Sequence, residues 1–526
     1  MISSLDTVCA PASGVGGAVA IVRVSGPSCL SAVDSVAVFR SGNASRSPGG
    51  RVKFAQIHCP DGSLLDEVLV AVFRAPHSYT GEDSAEIYCH ASSYIVSRIL
   101  DLLVSAGCRM AEPGEFTQRA FVNGKMDLSQ AEAVADVIAS SSSVEHRVAM
   151  NQMRGGYSSE LRGIRDSLLR FSSLLELELD FSEEEVEFAD RSSLTSLCAA
   201  AQAHCSALAD SFRLGNAVKN GVPVAIVGAP NSGKSTLLNA LLGDERAIVS
   251  DVPGTTRDTV EDVCVTGGVK FRFVDTAGLR QTSDSVEKMG IERSFAALRK
   301  ARIVLGVVDA SAACAAADEA YLRSLFSDGG AGAGADSGAG VDSGADAGVG
   351  VGVGVGVGAV AGSDSGGRVL IIVRNKADLL EGAVPGAASG LAAFDDAASG
   401  AGSGAESGAG CGAESGAESP ALYPEVVLSA RSGAGLDVLR GMLVAAAGPL
   451  DGSETLVTNA RHAAALRAAA AFLSVVLEGL SSGLSAELVA EDLRAAIASL
   501  NSILGEDAIT PQDTLNSIFS EFCIGK

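Results

Sequence analysis

No Cys-x-x-Cys pair occurs in this sequence, and none of its six histidines forms a His-x-x-x-His pair. Zinc ribbons and helical zinc sites built on those spacings are thereby excluded. The eleven cysteines are odd in number and scattered, which speaks for a reducing compartment and against a disulfide framework. Positive charge is scarce: 39 Lys and Arg stand against 63 Asp and Glu, for a net charge of −24. That balance disfavours broad, nonspecific nucleic-acid binding, so any RNA contact is expected to be local or carried by a partner. The opening Met1 to Asp6 lacks the basic region that begins a secretory signal. The uncharged run Ala347 to Ser363 is mostly alternating Gly and Val and falls short of the roughly 20 apolar residues of a spanning helix. The expectation is a cytoplasmic protein.

What the sequence does have is length and apolar content. At 526 residues, 47% of them hydrophobic, it predicts about three globular domains. Residues 1–123 alternate short β-type runs, such as Val19 to Val24 and Val68 to Phe73, with Gly, Pro and Ser breaks and one helical stretch, Ala91 to Ala106. This pattern predicts an α+β domain. From Asp127 the spacing turns helical: Leu161, Ile164, Leu168, Phe171, Leu175 and Leu179 form one stripe, and a second block runs from Arg191 to about Asn220. Leu493, Ile497, Leu500 and Leu504 repeat the pattern near the C-terminus, and Thr510-Pro-Gln-Asp513 reads as a further helix start. Between the two helical blocks, residues 221–447 alternate apolar strands with helices. The predicted architecture is a helical domain (124–220 and 448–526) into which an α/β nucleotide domain is inserted. Two glycine-rich stretches, 329–367 and 382–420, are expected to be unstructured surface insertions in that domain, of no chemical consequence.

The chemistry concentrates in the inserted segment. Strand Val224 to Val227 runs into Gly228-Ala-Pro-Asn-Ser-Gly-Lys-Ser235 and then an apolar helix, the context in which backbone amides and a helix N-terminus cradle phosphates. Lys234 is placed to reach the β and γ oxygens, and the Ser235 hydroxyl to bind Mg²⁺. Strand Phe271 to Val274 leads into Asp275-Thr276-Ala277-Gly278, where Asp275 can hold Mg²⁺ through water and Gly278 can donate to the γ-phosphate. Strand Ile371 to Arg374 leads into Asn375-Lys376-Ala377-Asp378, whose Asp378 carboxylate matches the N1-H and N2-H₂ edge of guanine. Ser429-Ala430 follows strand Glu425 to Leu428, where its backbone could touch the base. Three motifs in this order indicate a GTP site rather than an ATP site. Gly254-Thr255-Thr256-Arg257-Asp258 occupies the place of a mobile switch whose threonine closes on Mg²⁺. Leu279 stands where Ras-like GTPases carry the water-orienting glutamine, so hydrolysis needs another residue; Gln281, Asp284 and Glu287 are near.

The run Asp251-Val252-Pro253-Gly254-Thr255-Thr256-Arg257-Asp258, the Asp275 to Arg280 segment and above all the terminal Phe522-Cys-Ile-Gly-Lys526 resemble the tRNA-modification GTPase family called MnmE or TrmE. Asp6-Thr-Val8, Arg23-Val-Ser-Gly26, Tyr79-Thr-Gly-Glu-Asp83, Pro113-Gly-Glu-Phe116, Phe121 to Ala133 and Asn459-Ala-Arg-His462 extend the likeness over nearly the whole chain, leaving only the two glycine-rich insertions without a counterpart. The resemblance implies an N-terminal domain that binds a one-carbon tetrahydrofolate and dimerises, and a Ras-like P-loop GTPase domain. It also implies an FAD-dependent partner of the MnmG (GidA) type. Together the two proteins would install an aminomethyl or carboxymethylaminomethyl group on C5 of the wobble uridine (position 34) of certain tRNAs. By matching positions, Arg23, Glu86, Lys125 and Lys526 fall on the folate contacts, and Glu287 on the residue that orients water. Nucleotide contacts would run over Asn231, Ser232, Gly233, Lys234, Ser235 and Thr236, over Ser250 to Thr256, Asp275 to Gly278 and Asn375 to Asp378, and over Ser429 and Ala430. Mg²⁺ would be held by Ser235 and Thr256, and K⁺ by Asn231 with Ser250, Val252 and Thr255. Ser250 departs from a common Thr, and Cys89-His-Ala-Ser92 departs from the usual Gly-His-Gly-Gly of the folate domain. Cys523 fits either a catalytic thiol or a packing residue. The competing reading, a GTP-switch RNA-binding factor of ribosome assembly, would call for a basic appendage, and none is visible.

Overall fold

A computed structural model describes residues 6–14, 17–180, 191–243, 262–274, 301–328, 368–380, 385–386, 388–389, 423–448 and 455–506, together with Leu515, Ile518, Phe519, Phe522 and Gly525. The chain forms two compact units. One comprises residues 1–139, 148–212 and 459–526, and the other residues 140–147 and 213–458.

The first unit begins with an α+β layer. Its elements are β1 (Val8–Pro11), β2 (Val19–Ser25), α1 (Cys29–Val36), β3 (Ala37–Phe39), β4 (Arg51–His58), β5 (Leu64–Phe73), β6 (Ser84–His90), α2 (Ser93–Ser105), β7 (Arg109–Met110) and α3 (Glu115–Val122). The sheet order is β3-β4-β5-β6-β2-β1-β7, antiparallel except for the parallel β1-β7 pair. Period-two alternation puts Ala20, Val22 and Val24 of β2, Val68, Val70 and Val72 of β5, and Ala85, Ile87 and Cys89 of β6 on the inner face. There they pack against Leu30 and Val33 of α1 and Val96, Ile99 and Leu103 of α2. Each Val, Leu or Ile among them contributes about 1.5–3 kcal/mol of burial free energy. The opposite face carries Ile21, Arg23, Phe54, Leu69, Glu86 and Tyr88, and the cross-strand register lines up Phe54, Leu69, Tyr88 and Ile21 in one row.

Four helices follow: α4 (Leu128–Ala139), α5 (Ser143–Met153), α6 (Gly156–Asp180) and α7 (Arg191–Asn220). The predicted stripe on α6 is real, for Leu161, Leu168 and Leu175 are fully buried.

The second unit is an α/β sheet. It contains β8 (Val222–Val227), α8 (Lys234–Leu242), β9 (Asp262–Thr266), β10 (Val269–Phe273), β11 (Ile303–Asp309), α9 (Ala315–Asp328), β12 (Val369–Asn375), a 3₁₀ turn (Ala377–Leu379), β13 (Ala388–Ser389), β14 (Glu425–Val427) and α10 (Leu436–Ala447). Strand order is β13-β14-β12-β11-β8-β10-β9. The five strands β14 to β10 are parallel, and β13 and β9 close the edges antiparallel. Its central strands are nearly unbroken apolar runs, as a sheet covered on both faces demands. One expectation needs correction. The second glycine-rich stretch is not wholly unstructured, because Ala388 and Ser389 pair with Val426 and Glu425, and the Gly386 amide donates to the Val427 carbonyl at 2.8 Å. An edge strand needs only backbone groups to pair, so a Gly/Ala/Ser sequence can supply one without any apolar pattern.

The chain returns to the first unit with α11 (Ala460–Ser482) and α12 (Ala486–Leu504). By length and composition α11 could cross a bilayer. Its Leu466, Leu473 and Val476 are fully buried and the helix packs along α12, as a core helix does. The predicted C-terminal stripe Leu493, Ile497, Leu500 and Leu504 is buried on α12. The helix start expected at Thr510 lies outside the described residues.

Candidate functional sites: a phosphate loop and a polar cluster on the N-terminal sheet

Strand β8 delivers the chain into Gly228, where a Cβ would lie 2.2 Å from the Val307 carbonyl oxygen, so only glycine fits. Asn231 adopts φ +61°, a left-handed conformation uncommon outside glycine. Gly233, at φ +94°, leaves no room for a side chain either, since its Cβ would sit 2.2 Å from Asn375 Nδ2. Helix α8 then starts at Lys234, with Ser235 and Thr236 in its first turn. The Lys234 ammonium folds over the loop and donates to the Gly228 and Ala229 carbonyls at 2.9 and 2.7 Å. Burial pushes its pKa below the ordinary lysine value. An anionic phosphate would reverse that shift. The Ser232 hydroxyl is buried and makes no hydrogen bond among the described residues, so this loop retains an unused donor next to its cradle.

The other end of the site is stapled by Asn375, which is 2% exposed. Its Nδ2 donates to the Ser232 carbonyl at 3.0 Å, and its Oδ1 accepts from the Ala430 amide at 2.9 Å. One side chain therefore joins the phosphate loop to the Ser429-Ala430 turn. Lys376 follows in a left-handed conformation, φ +64°, with its ammonium 2.6 Å from Asp309 Oδ2. The other Asp309 oxygen takes the Ser311 amide and hydroxyl at 3.0 and 2.6 Å. Desolvation works to raise the Asp309 pKa, but the bonds from Lys376 and Ser311 take it below the usual carboxylate range. No sequence motif singles out Asp309. The available signal was an acid ending an apolar strand, and its partner lies 67 positions away. The Ala377 amide donates to the Leu428 carbonyl at 3.1 Å, fixing the 3₁₀ turn. Asp378 on that turn is exposed, and its carboxylate accepts no hydrogen bond among the described residues.

The structure thus brings together Asn231, Ser232, Gly233, Lys234, Asn375, Lys376, Ala377, Ser429 and Ala430 from three loops at the C-terminal ends of parallel strands, where ligands bind in open α/β sheets. Ser250, Asp251, Val252, Pro253, Gly254, Thr255, Thr256, Asp275, Thr276, Ala277, Gly278, Gln281, Asp284 and Glu287 lie outside the described residues, as do Cys523 and Lys526.

In the first unit, Arg23 on β2 and Glu86 on β6 face each other across neighbouring strands. Glu86 Oε1 accepts from Arg23 Nε and Nη2 at 3.0 and 2.9 Å, and Oε2 accepts from the Tyr88 hydroxyl at 2.9 Å. The guanidinium lies 5.3 Å from the Tyr79 ring centroid and 5.6 Å from that of Phe116. Its Nη1 donates to the Gly525 carbonyl at 3.3 Å, so Gly525 lies at this cluster. Only glycine fits at 525, since a Cβ there would meet the Pro11 carbonyl oxygen at 2.0 Å. Lys125 donates to the Pro76 carbonyl at 3.0 Å, and its stem packs on Gly81, at the loop that also carries Tyr79. The Pro113-Gly-Glu-Phe116 motif is scaffold: Glu115 is buried and binds Arg109 and Arg119 at 2.7 and 2.9 Å, while Phe116 lies beside Arg23. Where Cys89 departs from the usual glycine its thiol points into the core, and burial pushes its pKa to about 11.

The family profile described as "GTP-binding protein TrmE N-terminus" matches residues 7–125, and the profile "MnmE helical domain" matches residues 128–523. The chain is 43% identical over 527 residues to the tRNA modification GTPase MnmE of Bacteroides thetaiotaomicron, covering 99% of both. It is 42% identical over 528 residues to the protein of the same name from Porphyromonas gingivalis, covering 99% of this chain and 98% of the relative. Among solved structures, Aquifex aeolicus Era bound to GDP·AlF₄⁻ is 24% identical at a TM-score of 0.23, over 42% of this chain and 55% of that one.

Proposed function

Since the chain belongs to the MnmE (TrmE) family of tRNA-modification GTPases, we propose that it couples GTP hydrolysis to one-carbon transfer onto the wobble uridine of certain tRNAs. It is a GTP-hydrolysing enzyme of multidomain α+β and α/β build. The Asn375 staple supports the assignment of the nucleotide to its site, because it holds the phosphate loop and the base-contacting turn at a fixed distance from Asp378. In that arrangement the exposed Asp378 carboxylate reads guanine, Lys234 turns from the loop carbonyls to the β and γ oxygens, and the unpaired Ser232 hydroxyl gains an acceptor. The residues present suit two cations. Ser235 and Thr256 would hold Mg²⁺, and Asn231 with Ser250, Val252 and Thr255 would hold K⁺. Bound there, the cations would stabilise charge developing on the phosphates. Glu287 is assigned to orient the attacking water.

The observation that carries the folate half is the convergence of Arg23, Glu86 and Gly525, with Arg23 and Glu86 on one sheet face. With Lys526, the next residue in the sequence, Arg23 would offer cations to glutamate carboxylates, and Glu86 would offer a carboxylate to a pterin edge. The sheet face beside them exposes Val52, Phe54 and Leu69, an apolar surface that a second copy of this chain would cover in a homodimer. An FAD-dependent MnmG-type partner completes the proposed heterotetramer and, with a tetrahydrofolate carrier, forms the 5-carboxymethylaminomethyl or aminomethyl group.

Calorimetric titration of the full chain with 5-formyltetrahydrofolate tests this reading. Saturable binding that Glu86→Gln weakens supports it, and absence of binding removes folate from the function.

A further inference from the structure

Residues 140–147, the turn after α4 together with the first five residues of α5, cluster with the second unit, although the chain on either side belongs to the first. There they meet the tip of the β9-β10 hairpin. That tip is Gly267-Gly268, both left-handed at φ +59° and +78°, a two-residue turn matched to the strand twist. The tip has no slack. A Cβ on Gly268 would lie 2.4 Å from Ser143 Oγ, and one on Gly267 would lie 2.8 Å from a methyl of Val444 on α10. The Val144 amide donates to the Gly268 carbonyl at 3.5 Å. Beside it Glu145, 6% exposed, accepts the Ser141 amide and hydroxyl on Oε2 at 2.8 and 3.2 Å. Its Oε1 lies 3.7 Å from the Lys270 ammonium on β10. Lys270 also donates to the Lys219 carbonyl, near the end of α7, at 3.2 Å. A buried carboxylate facing a cation from the hairpin is a contact the hairpin cannot leave without stranding a charge.

The position of this hairpin in the chain gives the contact its meaning. Residue 262, which opens β9, follows six residues after Thr256, and β10 ends two residues before Asp275. The hairpin therefore joins the two segments assigned to the Mg²⁺ and γ-phosphate side of the nucleotide, while its tip is wedged against the 140–147 segment. We infer that this segment, 140–147, is the element through which the nucleotide state reaches α4 and the rest of α5, with Ser143 and Glu145 as positioning residues for GTP-dependent tRNA modification. A shift of the hairpin moves the segment, and the covalent chain passes that movement into residues 128–139 and 148–153.

The inference rests on the GTPase reading and is independent of the folate reading. Hydrogen exchange of the full chain, read with GDP and with a non-hydrolysable GTP analogue, tests it. In the wild type, exchange of 128–139 and 148–153 should differ about fivefold or more between the two nucleotides, the lower end of ordinary coupling. Glu145→Ala and Gly268→Val should collapse that difference while affinity for a fluorescent GDP stays within about threefold. Glu145→Gln, which keeps the Ser141 bonds, should lie between, and it decides the matter if Gly268→Val does not fold. The inference is overturned if the wild type shows no nucleotide-dependent difference in these helices, if the variants retain it, or if they lose nucleotide affinity along with it. Failure of the wild type to bind GDP at all would instead overturn the GTPase reading.

Discussion

Replacing Asn375 with Ala removes one side chain and opens two loops. The Ser232 carbonyl loses its 3.0 Å donor and the Ala430 amide its 2.9 Å acceptor, in residues that are 1% and 6% exposed. A buried polar group left unpaired costs about 1–3 kcal/mol, so two cost about 2–6 kcal/mol. Water entering the space vacated by the amide would offset part of this, which leaves about 3 kcal/mol, or roughly a hundredfold in the local opening equilibrium. Because a chain of several domains does not unfold in one step, the measurement is residue-resolved hydrogen exchange. The informative probes are the amides of Ala377 and Ser429, which donate to Leu428 and Ala434 at 3.1 and 3.0 Å and are not themselves bonded to Asn375. They should exchange about a hundredfold faster, and GDP should dissociate faster by a similar factor, since both loops that hold it are released. Asn375→Asp keeps the acceptor for Ala430 but turns a carboxylate oxygen toward the Ser232 carbonyl, so it should be at least as damaging at neutral pH. If Asn375→Ala left both amides and the GDP off-rate within about threefold of wild type, the staple would carry no load and the reasoning would fail.

Glu86→Gln should weaken 5-formyltetrahydrofolate binding by about tenfold or more, the worth of one charge-assisted hydrogen bond, and leave GTP turnover unchanged; equal affinity would remove Glu86 from the pocket. Burial of Glu115 works to raise its pKa, but bonds from Arg109, the Glu112 amide and Arg119 hold it below the ordinary 4.5. Its contribution is therefore fully present above pH 4.5 and is lost as pH falls through the depressed folded value. Glu115→Gln should lower the stability of the N-terminal sheet by about 3 kcal/mol at neutral pH and flatten its acid-unfolding curve below pH 4.5, which a pH series of denaturant melts would reveal. Glu287→Ala should retain GTP binding and abolish hydrolysis, and exchange of K⁺ for Na⁺ should slow the wild type sharply; retained turnover in either case would remove that group from the mechanism. Deletion of 329–367 should leave GTP turnover intact, and loss of activity would assign that insertion a role.

The phosphate loop was legible because its constraint is local. Strand, glycines and helix follow one another within about twenty residues, and the close approaches at Gly228 and Gly233 explain why no other residue stands there. The same holds for Asn375 as part of a motif, but not for its job. That it staples Ser232 to Ala430 depends on two loops 143 and 55 residues away. Asp309 was silent for the same reason. Arg23 and Glu86 are 63 residues apart and Arg23 and Gly525 are 502 apart, so periodicity could not pair them, and only resemblance to the family pointed there. The helical pattern of 124–220 carries no sign that 140–147 cluster with the second unit, because an apolar stripe records that a face is buried and not what buries it.

The two glycine-rich insertions show how the nucleotide domain separates what it needs from what it tolerates. The 39 residues from Gly329 to Gly367 join α9 to β12, a connection that about five residues could make. Closing the longer loop adds about 1.8 kcal/mol, since the entropy grows only with the logarithm of length. That is small beside the strand pairing it must not disturb: β11 and β12 hold register without a break from Ile303 opposite Val369 to Asp309 opposite Asn375. The last pair of that ladder sets the Asp309 and Lys376 ion pair and the Asn375 staple, so the geometry of this corner is fixed by residues on both sides of the insertion. The second tract supplies β13, whose backbone covers the edge of β14. Gly386 and Gly435 meet there so closely that a Cβ on Gly435 would lie 3.0 Å from the Gly386 amide nitrogen. Composition alone makes the two tracts look alike, but the backbone pairing of Ala388 and Ser389 shows that residues of the second tract finish the sheet.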